Sequence, residues 1–394
     1  MPGPGAYWYG EEEKDAVMEV MESGYLFRYG SENDPKFLHK VSTLESEFAS
    51  YCGANHALAT SSGTSSLLVS LIALDLKPGD EVIVPAYTFV ATYSTCIFAG
   101  LVPVLTEIDE SLSMDPEDIE HRITPRTKAI IPVHMLGNPC NMDRIMEIAR
   151  KHNLKVLEDS CQATGASYKG RKVGTIGDIG AFSLNVFKTI NSGDGGLVVT
   201  NDQKLYETAF GVHDQGHKPN RFGVEVGARS VLGLNFRMNE ITGAAGLAQL
   251  RKLDQIVAVL REKKNKLKSL ISGAEGFKFR VLNDPEGDAA TLCTIVFDTR
   301  ELAVKVSKAL GSKTIDQSGW HVYANMEHVL GHLKEVGQPH TKGSYPKTDD
   351  ILSRSMNISI GVVDGGLGAG WGININSTDA EIEAAAKQFT EVCK

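Results

Sequence analysis

Short apolar runs alternate with amphipathic stretches between residues 37 and 243. Six of these runs have the length and composition of buried strands, at residues 56–60, 81–85, 102–107, 129–132, 155–158 and 181–184. Stretches with helical spacing lie before or between them, including residues 11–23, 41–51, 65–74 and 142–152. Strands that alternate with helices predict an α/β fold whose mostly parallel sheet is covered by helices on both faces.

The pattern changes after Ala244. Residues 244–270 predict one long, charged helix, and the remainder mixes two strands, at 291–297 and 357–360, with helices at 300–310 and 378–392. We therefore expect a large domain over residues 1–250 and a smaller C-terminal α+β domain over residues 251–394.

Charge and cysteine content narrow the function classes. The net charge of −9 over 394 residues disfavours a general affinity for nucleic acid or for an acidic membrane surface. The six cysteines show no paired metal spacing, so we expect free thiols in a reducing compartment and no metal site. The first 17 residues lack the apolar core of a signal peptide, and the apolar stretches are too short to cross a bilayer. These features predict a cytoplasmic protein.

A hydroxyl followed five residues later by a lysine marks the end of the run at 181–184. The segment reads Ser183-Leu184-Asn185-Val186-Phe187-Lys188, and a glycine-rich turn follows at 191–196. A lysine that forms a Schiff base needs rigid, desolvated surroundings in which its amine is often neutral. Glycines let the backbone approach a ligand closely. Taken alone, the segment also fits a surface lysine beside a turn.

An acid ends the run at 155–158. Asp159 stands at this strand end, and Gln162 follows three residues later. Pyridoxal phosphate (PLP) accepts electrons only while its pyridine nitrogen stays protonated, and an aspartate partner keeps the proton there. Capping of the next helix is the alternative role of Asp159.

Two other strand ends carry possible ligand-binding residues. The turn Ser61-Ser62-Gly63-Thr64-Ser65-Ser66 offers hydroxyls and backbone amides for a phosphate, although an ordinary capped helix start also explains it. No Gly-Lys-Ser/Thr follows, so this turn is not a Walker loop. Phe89 follows the run at 81–85 and could lie on a flat ring or belong to the core.

These four features occur in order at successive strand ends. The carboxyl ends of parallel strands are the edge at which such sheets bind ligands. A phosphate-binding turn, a stacking aromatic, a pyridinium acid and a lysine together predict a PLP enzyme with Lys188 as its Schiff-base residue.

The chain resembles the sugar aminotransferases of the DegT/DnrJ/StrS type from about Gly24 to its C-terminus. The similar segments are Ser62-Gly63-Thr64, Pro85-Ala86-Tyr87-Thr88-Phe89, Val133-His134-Met135-Leu136-Gly137, Glu158-Asp159-Ser160-Cys161-Gln162-Ala163, residues 183–188 and Asn235-Phe236-Arg237-Met238-Asn239-Glu240. The resemblance implies the PLP fold-type I architecture of aspartate aminotransferase, with a mostly parallel, seven-stranded sheet in the large domain.

The resemblance also implies a role for each matching position. Lys188 would carry the cofactor and move protons, Asp159 would pair with the pyridine nitrogen, Gln162 would reach the phenolic oxygen, Phe89 would stack on the ring, and Ser62, Gly63, Thr64 and Ser183 would hold the phosphate. Asn235 would reach the cofactor phosphate of the neighbouring subunit in a homodimer.

The implied reaction moves an amino group from glutamate or glutamine to a keto-sugar. The acceptor would be a nucleotide-linked keto-hexose, a cyclitol ketone or a keto-octulosonate. Three segments depart from the family pattern where substrate is expected to enter, at residues 24–30, 163–164 and 211–217.

Arg28 and residues 320–325 resemble a subgroup that includes 8-amino-3,8-dideoxy-octulosonate transaminase. We expect Arg28 or Arg229 to bind an acid group, because the guanidinium fork suits a carboxylate. The resemblance adds Tyr29, His321 and Tyr323 as substrate-binding candidates. A surface or interface ion pair is the alternative for both arginines.

Other functions are weighed against an aminotransferase. Sugar dehydratases of the same family carry a histidine where this chain has Lys188. A non-catalytic dimer that binds PLP or a sugar nucleotide would show no turnover with any amino donor. A Rossmann dehydrogenase is disfavoured, because no G-x-G-x-x-G opens a helix after the first strand.

Overall fold

A seven-stranded sheet lies at the centre of the computed structural model, which describes residues 3–219, 229 and 231–394. The seven strands are β1 (His56–Thr60), β2 (Glu81–Pro85), β3 (Val102–Thr106), β4 (Thr127–Ile130), β5 (Lys155–Asp159), β8 (Ile179–Ser183) and β9 (Gly196–Thr200). Between β5 and β8, the chain forms a separate two-stranded ribbon of β6 (Ser167–Tyr168) and β7 (Arg171–Lys172). The order across the sheet is β1-β9-β8-β5-β4-β2-β3. β9 is antiparallel to both neighbours, and the other pairs are parallel.

This sheet confirms the predicted α/β fold class. Each of the six predicted strand regions overlaps an observed strand, but β9 was missing from the prediction. β9 follows β8 after a glycine-rich loop with no helix between them, so the expected alternation of strands and helices does not reveal it. Because β9 is antiparallel, the carboxyl ends of β1, β5 and β8 still meet at one edge of the sheet.

The described residues form helices before, between and after these strands. They are α1 (Pro4–Tyr7), α2 (Glu11–Ser23), α3 (Lys40–Cys52), α4 (Gly63–Ala73), α5 (Val90–Phe98), α6 (Pro116–Arg122), α7 (Met142–His152), α8 (Gln203–His213), α9 (Glu240–Leu250), α10 (Leu253–Ile271), α11 (Arg300–Ala309), α12 (Glu327–Glu335), α13 (Pro346–Ser353) and α14 (Asp379–Cys393). Short 3-10 turns lie at Met135–Gly137, Ile315–Gln317, Tyr323–Asn325 and Gly365–Leu367.

Side-chain alternation along the strands explains why helices cover both faces. Leu58 of β1 belongs to the core on the side of α4, α5 and α8, whereas its neighbours Ala57 and Ala59 pack on the side of α3. In β2, Val82 and Val84 share one face and Ile83 takes the other. Complete burial of such a side chain contributes about 1.5–3 kcal/mol. The two hydrophobic faces therefore hold the strand ends in place.

The predicted single helix over residues 244–270 is wrong, because the chain forms two helices that are separated at Arg251 and Lys252. No proline or glycine stands at the break. Lys252 instead donates from Nζ to Trp8 O at 3.0 Å and forms an ion pair with Glu13. These contacts with the N-terminal segment favour the break, and residue spacing alone does not show them.

A second, antiparallel sheet follows in the C-terminal part of the chain. It consists of β10 (Phe277–Phe279), β11 (Leu292–Phe297) and β12 (Ser355–Ser359), with β11 in the middle. The predicted boundary between the two domains, at residues 250 and 251, stays a prediction.

No helix among residues 3–219 and 231–394 is long and apolar enough to cross a membrane.

Candidate active site

A cavity of about 560 Å³ opens at the carboxyl edge of the central sheet. The structure brings nine of the predicted site residues to its wall: Ser62, Gly63, Thr64, Phe89, Asp159, Gln162, Ser183, Lys188 and His321. They come from five separate segments of the chain. The sheet topology therefore produces the cluster, since the strand ends meet there.

The start of α4 forms one end of this cavity. The Ser62 hydroxyl caps the helix by accepting a hydrogen bond from Ser65 N at 3.0 Å. A side chain at Gly63 would place its Cβ 2.6 Å from Ser183 Cβ and 3.1 Å from Cys161 Sγ, so the close approach of these segments requires glycine. The free amides of the helix start and the Thr64 and Ser183 hydroxyls suit an anionic group such as a phosphate.

Asp159 ends β5 and is almost completely buried. Its Oδ2 accepts a hydrogen bond from Thr92 Oγ1 at 2.8 Å, and its Oδ1 accepts one from Cys161 N at 3.1 Å. Thr92 in turn lies 2.8 Å from the Thr88 hydroxyl. These contacts fix the carboxylate, which can hold a proton on a ring nitrogen. Thr92 was not predicted from the sequence, although it lies three residues after Phe89.

Glu158, the neighbour of Asp159, forms a fully buried pair with His134 on the other side of the strand. His134 Nδ1 accepts from Cys140 N at 3.0 Å, so its Nε2 carries the proton that is shared with Glu158 Oε2 at 2.9 Å. Although burial raises the pKa of Glu158, hydrogen bonds from His134 and from backbone amides, including that of Gly174, outweigh burial and leave the pKa below its usual value. The pairing of His134 with Glu158 was not predicted from the sequence.

Lys188 lies in the loop after β8, half-buried at the cavity wall. Its backbone N donates to Asn185 O at 2.9 Å, which tightens the loop. The N-terminal segment packs against the same loop, since Gly3 N donates to Val186 O at 2.8 Å. An added Cβ at Gly3 would lie 2.5 Å from Lys188 O. This packing of the N-terminal segment against the lysine loop was not predicted from the sequence.

Aromatic side chains form another wall. Phe89 is partly exposed at the start of α5, and its ring centroid lies 5.3 Å from that of His321. Burial, followed by the positive charge of Lys188, lowers the pKa of His321 to about 3. His321 is therefore neutral at physiological pH, and its Nδ1 lies 3.1 Å from Ser318 Oγ. A neutral imidazole can donate or accept a hydrogen bond at the cavity.

Arg28, one of the expected substrate residues, does not line the cavity. Its guanidinium is buried, pairs with Glu45 at 2.8 Å and donates to Ala59 O at 3.1 Å. It also lies 3.2 Å from His213 Nε2. Burial, followed by the charge of Arg28, lowers the pKa of His213 to about 3. Arg28 therefore joins the segment before α3 to β1 and α8. Its expected role as a carboxylate ligand stays a prediction.

The remaining expected residues also lie away from the cavity wall of this chain. Tyr29 is half-buried beside Arg28, and Tyr323 is buried with its hydroxyl 3.1 Å from Asp349 Oδ2. Arg229 is exposed. Asn235 is exposed too, and its side chain accepts from Arg237 N at 3.3 Å. Its predicted reach into a neighbouring subunit stays a prediction.

Known proteins match this chain over most of its length. The sequence profile of the DegT/DnrJ/EryC1/StrS aminotransferase family matches residues 8–363. GDP-perosamine synthase of Caulobacter vibrioides is 41% identical over 250 residues, which cover 62% of this chain and 63% of that protein. The match therefore spans less than two thirds of that relative's length.

Two further comparisons cover nearly the whole chain. The spore coat polysaccharide biosynthesis protein SpsC of Bacillus subtilis is 35% identical over 364 residues, 89% of this chain and 90% of that protein. The X-ray structure of an aminotransferase from Psychrobacter cryohalolentis has a TM-score of 0.83 at 26% identity, and the alignment covers 100% of this chain and 98% of that one.

Proposed function

The chain belongs to the DegT/DnrJ/EryC1/StrS aminotransferase family, and on this premise we propose that it is a PLP-dependent aminotransferase acting on a keto-sugar. The amino donor in this proposal is glutamate or glutamine. A keto-sugar acceptor agrees with the names of two relatives, one a GDP-perosamine synthase and the other a spore coat polysaccharide biosynthesis protein.

One observation carries the proposal: the amine of Lys188 and the buried carboxylate of Asp159 line the same cavity as an anion-binding helix start. These residues fit PLP, since its phosphate and its ring nitrogen each have a chemically suitable partner in the cavity wall. The start of α4 and Ser183 would hold the phosphate, and Asp159 would hold the ring nitrogen. Because Gly63 has no Cβ, the start of α4 can lie close to Ser183.

The chain's own residues would handle the protons. PLP, when bound, supplies an electron sink for the carbon that carries the amino group. Asp159 keeps a proton on the ring nitrogen, because its fixed oxygens accept from Thr92 and Cys161 and leave it an acceptor toward the cavity. Lys188 accepts a proton from the amino donor and returns it to the acceptor, acting as base and then as acid.

The homodimer is part of the proposal. Asn235 lies on an exposed segment next to Arg237, which is paired with the buried Asp214. This pairing supports a rigid segment from which Asn235 would reach the phosphate in a neighbouring subunit. Lys188 favours the aminotransferase over the dehydratase alternative, because the family's dehydratases carry histidine at this position.

An absorbance spectrum of the purified protein, before and after adding L-glutamate or L-glutamine, tests the proposal. With PLP present we expect a band on the order of 410–430 nm that moves toward roughly 330 nm on adding the donor. Lys188→Ala is the control and should lack the donor-dependent change.

Different results would reject different parts of the proposal. The lack of any PLP band after incubation with the cofactor would reject PLP binding. A band that ignores both donors would reject transamination from them, and product analysis with a keto-sugar would then test for dehydration.

A further inference from the structure

The side-chain amide of Gln162 has a defined orientation in the cavity wall. Leu136 N donates to Gln162 Oε1 at 3.2 Å. A backbone N–H only donates, so the atom that faces it must be the amide oxygen. The NH2 group of Gln162 is therefore the part that remains as a donor, which is what an anionic oxygen on a bound ring requires.

Leu136 adopts a backbone conformation that depends on its surroundings. Its φ of 56° and ψ of 35° lie in the left-handed region, which leucine rarely adopts. Two donors from Arg280 hold the turn in this shape, because Nη1 donates to Met135 O at 3.0 Å and Nη2 donates to Leu136 O at 2.8 Å. The same residue thus accepts from Arg280 and donates to Gln162.

Arg280 belongs to the C-terminal part of the chain and is 4% exposed. It follows β10, and its backbone N donates to Thr294 O of β11 at 3.1 Å. Nearby, Asp288 forms a buried ion pair with Lys264 and lies 3.8 Å from Arg280. Asp288 has its own partner, so the two carbonyls of the turn are the hydrogen-bond acceptors that Arg280 uses.

We infer that Arg280 is a positioning residue that sets the orientation of the Gln162 amide through the turn Met135–Gly137. The three-stranded sheet would thereby control a hydrogen-bond donor of the cofactor site without touching the cofactor. This inference rests on the proposed function, because it requires Gln162 to donate to the phenolic oxygen of PLP.

The test follows the cofactor band as a function of pH in the PLP-loaded enzyme without amino donor. A donor to an anionic oxygen weakens that oxygen's hold on a neighbouring proton, so loss of the donor keeps the proton bound to higher pH. We expect Gln162→Ala to raise the midpoint of the spectral titration by about one pH unit. Arg280→Met should raise it by at least half as much.

Arg280→Met suits this test because it leaves the Lys264–Asp288 ion pair balanced. The double variant Gln162→Ala/Arg280→Met should titrate like Gln162→Ala alone, since Arg280 acts through Gln162. Arg261→Met is the matched control: Arg261 donates to Asp288 O at 2.7 Å, in the same cluster, and should leave the midpoint unchanged. The dissociation constant for PLP gives a second readout that does not depend on turnover.

The outcomes separate the inference from the proposed function. A shift in both single variants that does not add in the double variant supports the inference. An unchanged midpoint in Arg280→Met, additive shifts, or an equal shift in Arg261→Met would overturn it and leave the proposed function intact. If Gln162→Ala has no effect, the inference fails with it. The proposed function itself is rejected by a wild-type protein that shows no PLP band, or whose band ignores both amino donors.

Discussion

At the scale of single residues, two buried arginines have different roles because different groups surround them. Among the described residues, Arg28 donates to Glu45 and to Ala59 O, away from the cavity wall, and lies against a neutral His213. Arg280 is also buried, but its acceptors are carbonyls of the turn beside the cavity. The sequence shows that an arginine carries a positive charge, but the residues packed around it determine which acceptors it contacts.

Substitution Arg28→Met tests this structural role. The change leaves Glu45 without its cation, and breaking such a pair should lower the free energy of unfolding by about 3 kcal/mol. Urea unfolding measures this loss, while the KM values for donor and acceptor should stay the same. Arg144→Met, which removes exposed ion pairs with Glu117 and Glu147, is the control and should leave stability almost unchanged. A tenfold rise in either KM without loss of stability would restore Arg28 as a substrate ligand.

At the scale of elements, the strand that carries Asp159 is fixed by the pair on its other side. Glu158 accepts from His134 Nε2, and its second oxygen accepts from Ile176 N and Gly177 N at 2.6 Å each. In addition, His134 N donates to Asp159 O at 3.1 Å. The loop after β7 and the turn after β4 are thus joined to β5 at Glu158, which precedes Asp159.

The ionisation of Glu158 gives this arrangement a pH dependence. Its pKa in the folded protein lies below the unfolded value, so its contribution to stability is complete above the unfolded pKa and is lost as the pH falls through the folded pKa. We expect Glu158→Gln to lower the free energy of unfolding by about 1–3 kcal/mol at pH 7. The difference from wild type should shrink below about pH 4.3.

Urea unfolding of the apo-protein between pH 7 and pH 3 measures that difference. Glu117→Gln, at a mostly exposed carboxylate, is the control and should show almost no loss at either pH. A loss in Glu158→Gln that stays constant over the whole range would contradict the role of its charge.

The N-terminal segment is a second element that supports the site, because it packs against the loop that carries Lys188. A Cβ at Gly5 would lie 2.8 Å from Thr189 O, next to Lys188, and 2.2 Å from Gln249 Oε1. Because the Thr189 carbonyl is backbone, Gly5→Ala should displace the lysine loop and raise the dissociation constant for PLP at least tenfold, a change of about 1.4 kcal/mol.

Titration of the apo-protein with PLP, followed by absorbance, measures this change. Gly273→Ala is the matched control, since nothing lies within 4 Å of its added Cβ. Equal affinities in Gly5→Ala and the control would show that the N-terminal segment does not position Lys188.

At the scale of the whole molecule, the proposed homodimer predicts that two differently inactivated subunits restore activity when they pair. If Asn235 completes the site of the neighbouring subunit, Lys188→Ala and Asn235→Ala subunits should each be inactive or weak as homodimers. Co-expressed in equal amounts, they should regain about one quarter of the wild-type activity, because half of the dimers are mixed and each contains one intact site.

Separate affinity tags on the two subunits allow the mixed dimer to be isolated and assayed. A double Lys188→Ala/Asn235→Ala subunit mixed with wild type is the control, since its mixed dimer has no intact site and should gain nothing from pairing. Mixed dimers of the single variants that stay as inactive as their parents would contradict a shared site.

The sequence by itself determined six strands of the central sheet, the fold class and the cofactor-site candidates. Apolar runs fix buried strands because burial is their main stabilisation, and small hydroxyls, glycine, Asp159 and Lys188 stand at strand ends that topology must bring together. Residue spacing is sufficient for these features, because they depend on local pattern and on one general rule of parallel sheets.

Only the tertiary structure decided which polar groups find partners across the chain. The turn at residues 251–252, the burial of Arg28 against Glu45, the Glu158–His134 pair and the path from Arg280 to Gln162 all join residues that are distant in sequence. A buried charge is stable only when donors and acceptors surround it, and those neighbours come from other elements. Their identity therefore depends on packing, which periodicity does not encode.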